Sequence, residues 1–503
     1  MGTHNNEWMR DQRVDGLQSR DVGRLLYQLG VVLASLSAVS AVLWAIEEDA
    51  SAGPWLWISP VILFVSCTGT AFRIIRSDYL TVASPVSWVL LAGGVYWGFG
   101  PLSYTFGEWS TIEEMNAGYY VGPSELLVTN LLNSVGMLAV VAGLVAGRRL
   151  VSDRPHGWVR RLEGMDAMQV AGVLAAVGLT SKFTMVLPRM FGMTETQSST
   201  LLQLEVFTKG ALMILSYYSV TRGGKATFWL VILFAIEFVT ASLCKSKLVI
   251  LEVVIAVLIG RTLAVRKAST VVKGFAAMGL SLLVLQPVVS ASRMMGMGRS
   301  TGGDYASLAM ETGSMMVQSI SELIDGSNAA QEMSAQAWWS RLCYAPQQAF
   351  AMQEYDSGRP GSPWADFAMG LIPRLLWPDK PLVTPGVNFS ILFNGNADNC
   401  NGPGVLGEGY WYGGWPGLLV VGLYTGMFLG GIDRISKEVI SRRAWIVMPL
   451  VFVGVKTGFR IDGWFSTEFM FGSVWYVLLA MSIFYSSTFY LTWAKRNQGL
   501  PSH

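Results

Sequence analysis

"LLYQLGVVLASLSAVSAVLWAI", Leu25 to Ile46, is an uncharged apolar stretch preceded by Arg20 and Arg24 and followed at once by Glu47, Glu48 and Asp49. About 20 apolar residues let a helix cross the hydrocarbon core of a bilayer. The flanking charges orient it, because Lys and Arg are retained on the cytoplasmic side. The stretch therefore reads as a membrane span with its N-terminal end inside. The same pattern recurs near 55–74, 83–103, 125–147, 168–187, 201–220, 226–243, 247–262, 271–291, 411–431, 444–458 and 470–492, which predicts twelve spans.

Composition points the same way. Of 503 residues, 52% are hydrophobic and only 14% charged, against about 25% charged in soluble proteins. The 19 Trp and 17 Tyr suit side chains that anchor at bilayer interfaces. A net charge of +2 gives no basic surface for nucleic acid, so no nucleic-acid partner is expected. The predicted fold class is an all-α polytopic membrane protein. Residues 1 to 22 are polar, with Arg10, Arg13 and Arg20, and do not read as a cleavable signal peptide.

Alternating the spans from a cytoplasmic N-terminus puts the basic segments "RRLVSDRPHGWVRR", "RTLAVRK" and "DRISKEVISRR" inside and the acidic "GEWSTIEEMN" outside. Both termini are then cytoplasmic. One connection is long: Ser292 to Tyr410, between the ninth and tenth spans, falls outside the cytoplasm. A segment of that length is expected to fold on the membrane domain. The organisation is thus 1–291 for spans one to nine, 292–410 for a large extracytoplasmic segment, and 411–503 for spans ten to twelve. "DYASLAMETGSMMVQSISELI" within the outer segment has the spacing of a helix lying on the bilayer surface. The second half, rich in Gly, Pro, Asn and Asp, reads as turns.

The basic residues left on the outer side carry the functional signal: Lys182, Arg189, Lys209, Lys245, Lys247, Arg293, Arg299, Arg341, Arg359, Arg374, Lys380, Lys456 and Arg460. Several lie within or beside span ends, where charge is costly and faces a protein interior or polar cavity. Each one singly is explained as well by snorkelling, or by pairing with Glu195, Glu205, Asp462 or Glu468. As a set they point to an anionic ligand, and a phosphate or diphosphate headgroup on a lipid fits both charge and place.

"LIPRLLWPDKP" (Leu371 to Pro381), followed by "GPGVLGEGYWYGGWPGLLVVGLYTGMFLG" (Gly402 to Gly430), resembles the large outer loop of bacterial oligosaccharide repeat-unit polymerases, the O-antigen and exopolysaccharide polymerases. The twelve-span layout and "CKSKLVILEVVIAVLIG" are similar to theirs as well. The resemblance implies a GT-C-like polymerase and ligase architecture in the bacterial cytoplasmic membrane. It further implies inverting glycosyl transfer between two oligosaccharides carried on undecaprenyl diphosphate, on the outer face. The implied partners are these lipid-linked donor and acceptor substrates, membrane lipids, a flippase and a chain-length co-polymerase.

In such a reaction the diphosphate leaving group gains negative charge, and cations already aimed at it stabilise the transition state. Arg374 is the first candidate, since Pro373, Trp377-Pro378 and Lys380-Pro381 restrain the loop around it. Arg293, Lys245, Arg460 and Lys380 follow, with Arg341, Arg189 and Lys456 as further diphosphate contacts. Glu408, between two glycines, is the candidate proton acceptor. Asp366, Asp379 and Asp398 are alternatives, and a cap or an Arg partner explains Glu408 equally. Trp377, Tyr410 and Trp411 are candidates to stack on sugars, or simply to anchor at the interface.

No cofactor and no metal is expected. The histidines are His4, His156 and His503, all cytoplasmic in this topology, which leaves no outer zinc site and counts against the related O-antigen ligases. Cys67, Cys244, Cys343 and Cys400 lack metal spacing. Cys343 and Cys400 share the outer segment, as a disulfide or as two thiols. Two other classes remain: a polyprenyl-phosphate-sugar-dependent transferase using Glu47, Glu48 and Asp49, and a flippase or transporter, which should show repeat symmetry. No repeat is evident.

Overall fold

The computed structural model describes residues 4–46, 53–151, 157–190, 203–243, 247–281, 314, 321, 337–362, 377, 385–397 and 400–497. Among the described residues every element is helical. Among the described residues, seven helices are long and apolar enough to cross a membrane, within Asp21–Ile46, Trp55–Ser77, Pro123–Leu150, Ala167–Val186, Leu248–Val265, Gly404–Ser441 and Phe465–Ser486. The chain is a polytopic membrane protein.

The principal helices are α1 (His4–Ile46), α2 (Trp55–Ser77), α3 (Pro85–Gly93), α4 (Pro123–Leu150), α5 (Ala167–Ser181), α6 (Val206–Thr221), α7 (Lys225–Leu243), α8 (Lys247–Val265), α9 (Ala345–Asp356), α10 (Pro385–Asn394), α11 (Gly404–Ser441), α12 (Met448–Phe459) and α13 (Gly472–Asn497). Two expected spans take a different form. The 83–103 stretch is a relay of pieces: α3, a π-turn over Gly94–Phe99 and a 3-10 turn over Gly100–Leu102. Its glycines let backbones meet, and a side chain at Gly98 would collide with the backbone of Phe64 on α2. The helix expected from 411 begins instead at Gly404, then breaks at Gly413–Gly414, where Gly414 has φ 61° and ψ −148°. That conformation belongs to glycine, and Pro416 follows in the same turn.

The centre of the bundle is the α4–α11 pair. Gly143 and Gly147 on α4 face Gly422, Gly426 and Gly430 on α11, and a Cβ at Gly147, Gly426 or Gly430 would run into a backbone carbonyl of the other helix. Small residues every fourth position let membrane helices approach closely and gain packing that burial from lipid does not supply. At one end of the pair Asp433 accepts from the Ser84 hydroxyl and pairs with Arg148 at 3.4 Å. Lys437 pairs there with Asp78 at 3.3 Å. At the other end α9 is fastened to α4 by a reciprocal amide pair, Gln348 to Asn133 at 2.8 Å and Asn133 to Gln348 at 3.1 Å. Phe350, Phe389, Phe393 and Trp464 form a small aromatic core there. Cys343 is a buried free thiol, so it forms no bridge to Cys400.

Candidate functional site

The site is built on the last turn of α12. Lys456 and Arg460 are one turn apart and so share a helix face. Lys456 pairs with Glu252 on α8 at 2.9 Å, and Arg460 with Glu468 at 2.9 Å. Both cations are partly open, with side chains 23% and 29% exposed. The Arg460 Nε is buried and has no hydrogen-bond partner. Two residues on, Asp462 accepts from the Tyr344 hydroxyl at 3.1 Å. The Tyr344 ring meets Tyr96 edge to face, with centroids 5.7 Å apart.

Burial raises the Asp462 carboxyl above its ordinary value and outweighs the opposing pull of Arg460 and the Tyr344 hydrogen bond. Burial together with the neighbouring Asp462 charge pushes Tyr344 well above the usual phenol range, so it stays a donor.

A second cluster lies deeper. Lys182 donates to Glu237 Oε2 at 2.7 Å and to Thr240 at 3.3 Å, and Lys209 donates to the same carboxylate oxygen. Lys182, Lys209 and Glu237 have no exposed side-chain surface. Glu237 Oε1 is buried with no hydrogen-bond partner. Glu205 and Glu252 lie within electrostatic reach of Lys209, and Glu252 also within reach of Arg460. The two clusters therefore form one charged band across the π-turn that follows α5 and helices α6, α7, α8 and α12. Each cation in it faces a carboxylate, so the band is close to charge balance; of the acids the sequence offers as partners Glu468 is one, while Glu237 and Glu252 are not among them.

Three π-turns border this band: Gly94–Phe99 carries Tyr96, Lys182–Val186 opens with Lys182, and Phe465–Phe471 carries Glu468. An extra residue in a helical turn re-aims side chains, and such turns recur at functional sites.

The other expected site residues fall as follows. Arg374, Lys380, Arg293, Lys245, Asp366, Asp379, Asp398, Glu47, Glu48 and Asp49 lie outside the described residues, as does almost all of "DYASLAMETGSMMVQSISELI". Arg189 belongs to the short helix Leu187–Met190. Arg341 and Trp377 are exposed. Glu408 is fully buried, and its carboxylate accepts from the Tyr412 hydroxyl and the backbone N–H groups of Phe465 and Ser466. Its geometry is that of a cap on the Phe465–Phe471 turn. The flanking glycines admit protein: Gly407 packs on Pro403 and Gln348, Gly409 on Val421.

Tyr410 is buried and donates to Asp356 at 3.1 Å. Trp411 packs edge-on against Phe389 and donates to the Arg359 carbonyl at 3.1 Å. Trp411 is thus tied into the aromatic core, while Tyr410 meets Tyr355 and Trp415 edge to face in the main apolar cluster.

Sequence reading passed over Glu237, Glu252, Tyr96 and Tyr344. The two glutamates carried a usable signal, since an acid inside an apolar span demands a partner, and the intramembrane lysines supply it. The tyrosines carried none, because interfacial anchoring explains any tyrosine near a span end. No protein-family model, curated protein or solved structure matches the chain.

Proposed function

We infer that this chain is an integral-membrane glycosyltransferase that polymerises oligosaccharide repeat units carried on polyprenyl diphosphate. It works on the outer face of the bacterial cytoplasmic membrane, with both termini inside. Its finer architecture is twelve spans of GT-C-like type with a large outer segment between the ninth and tenth. A hydroxyl of one lipid-linked repeat attacks the anomeric carbon of another, and polyprenyl diphosphate departs with inversion. The observation that supports this reading is the Lys456–Arg460 pair: two cations a turn apart, partly open, with one guanidinium N–H left over. A donor aimed at developing charge is worth about 3 kcal/mol in such chemistry. The same charge stabilisation needs no metal ion. Arg374 and Arg293 would complete the cationic set from the outer segment and the end of the ninth span.

The test uses purified protein, EDTA, and the lipid-linked oligosaccharide extracted from host cells deleted for this gene. A ladder of polymer is expected from the native chain. Arg460→Ala and Arg374→Ala are each expected to slow it about 100-fold or more. Absence of a ladder from the native chain would overturn the reading, and a ladder abolished by EDTA would overturn its metal-free form.

A further inference from the structure

Resting on the polymerase reading, the structure raises the question of where the proton of the attacking hydroxyl goes. Glu408 is closed to it, being fully buried with its carboxylate committed to Tyr412, Phe465 and Ser466. Glu252 is 3% exposed and held by Lys456. Glu468 is neutralised by Arg460 at 2.9 Å. Asp462 stands apart because no cation pairs with it directly: it is half-buried, lies within electrostatic reach of Arg460, and accepts a hydrogen bond from Tyr344, a residue of the outer segment.

We propose that Asp462 is the general base of glycosyl transfer and that Tyr344 is its positioning residue. The attacking oxygen forms the new bond to the anomeric carbon. The bond from that carbon to the diphosphate oxygen breaks, and its electron pair leaves with the diphosphate toward Arg460 and Lys456. The hydroxyl proton passes to an Asp462 carboxylate oxygen and then to solvent. Base and leaving-group contacts thus come from one short stretch, Lys456 to Asp462, which would hold both reacting ends of the substrate.

The groups facing Asp462 are Arg460 from its own turn, Glu468 from the π-turn before α13, Tyr344 from the chain before α9, and Tyr96 from the π-turn after α3. Burial and Glu468 raise its titration, while Arg460 and Tyr344 oppose them, and the balance lies above the ordinary carboxylate value. A base is more effective as its titration approaches the working pH. The active form is the carboxylate, so the rate falls as pH drops through that titration. The acidic limb of the pH profile should lie above that of an ordinary aspartate.

The experiment measures initial rates against pH with the same extracted lipid-linked oligosaccharide, for native protein, Asp462→Asn, Asp462→Glu and Tyr344→Phe. Asp462→Asn is expected to lower kcat about 100-fold or more with little change in KM, and to abolish the acidic limb. Asp462→Glu should restore part of the rate. Tyr344→Phe removes a donor that favours the charged carboxylate, so its acidic limb should move to higher pH. If native protein makes a ladder while Asp462→Asn stays within about threefold of it with an unchanged limb, the base is elsewhere. Should Asp462→Asn fail to fold, Tyr344→Phe decides: a displaced limb supports the assignment and an unmoved one overturns it. Native protein that makes no ladder removes the polymerase reading itself, an outcome separate from failure at Asp462.

Discussion

The Lys182–Glu237–Lys209 cluster and the Lys456, Arg460 and Glu468 group use the same side-chain chemistry in the same bundle, and Glu252 connects them. They differ in access to water: the first trio has no exposed side-chain surface, while the second group is 21% to 29% exposed. Charges without water must be balanced by the protein itself, because the desolvation penalty is repaid only by close partners. Charges at a wet edge can trade a partner for a ligand. The deep cluster therefore holds helices together, and the edge cluster is the one available for chemistry.

The hardest test of that contrast is Glu237→Gln. It leaves two ammonium groups in a dry bundle with no carboxylate in direct contact, only the more distant Glu205 and Glu252, and breaking a buried pair in this way costs about 3–5 kcal/mol. Thermal unfolding in detergent should show the folded protein largely lost. Lys182→Met is the sharper companion, since it leaves Lys209 and Glu237 matched one to one and should cost clearly less. Equal losses from the two variants would break the comparison, because charge balance would then not be what the deep cluster needs.

A smaller effect is expected where packing rather than charge is at stake. Gly426→Val puts carbon against the Val140 carbonyl across the α4–α11 seam and should cost about 1–3 kcal/mol by overpacking. Gly172 on α5 has nothing within 4 Å of an added Cβ, so Gly172→Ala should be neutral or slightly stabilising. A ranking by thermal midpoint checks both, and similar midpoints for the two variants would mean the seam is looser than its geometry.

What could be read from the chain follows the same division. Apolar runs and flanking charge make the helices and their membrane character legible, because those signals are local. Pairing is not local: Glu237 lies 28 residues from Lys209 and 55 from Lys182, and only the arrangement of α5, α6 and α7 brings them together. The four-residue glycine spacings at Gly143/Gly147 and Gly422/Gly426/Gly430 are visible in the sequence, but not which helix each row meets. The π-turns are silent, since one extra residue in a turn leaves the apolar pattern unaltered. Glu408 shows how a correct signal can mislead. Its neighbouring glycines do permit close approach, and what approaches is the protein's own chain.

The gentlest variant bears most directly on the edge cluster. Glu468→Gln removes one carboxylate from Arg460 in a pair whose side chains are 29% and 21% exposed, so its cost to stability should be only about 0–1 kcal/mol. Its effect on anion binding should have the opposite sign. With less local negative charge, affinity for inorganic pyrophosphate should rise, by about fivefold at low salt if the pair is worth about 1 kcal/mol, and by less at high salt, where exposed charges are screened. Calorimetric titration of the detergent-solubilised protein at two ionic strengths measures this. Unchanged affinity at both would mean that the Arg460 guanidinium is not offered to an anion at all. The edge cluster would then be a hydrated version of the deep one, with its exposure no longer a sign of function.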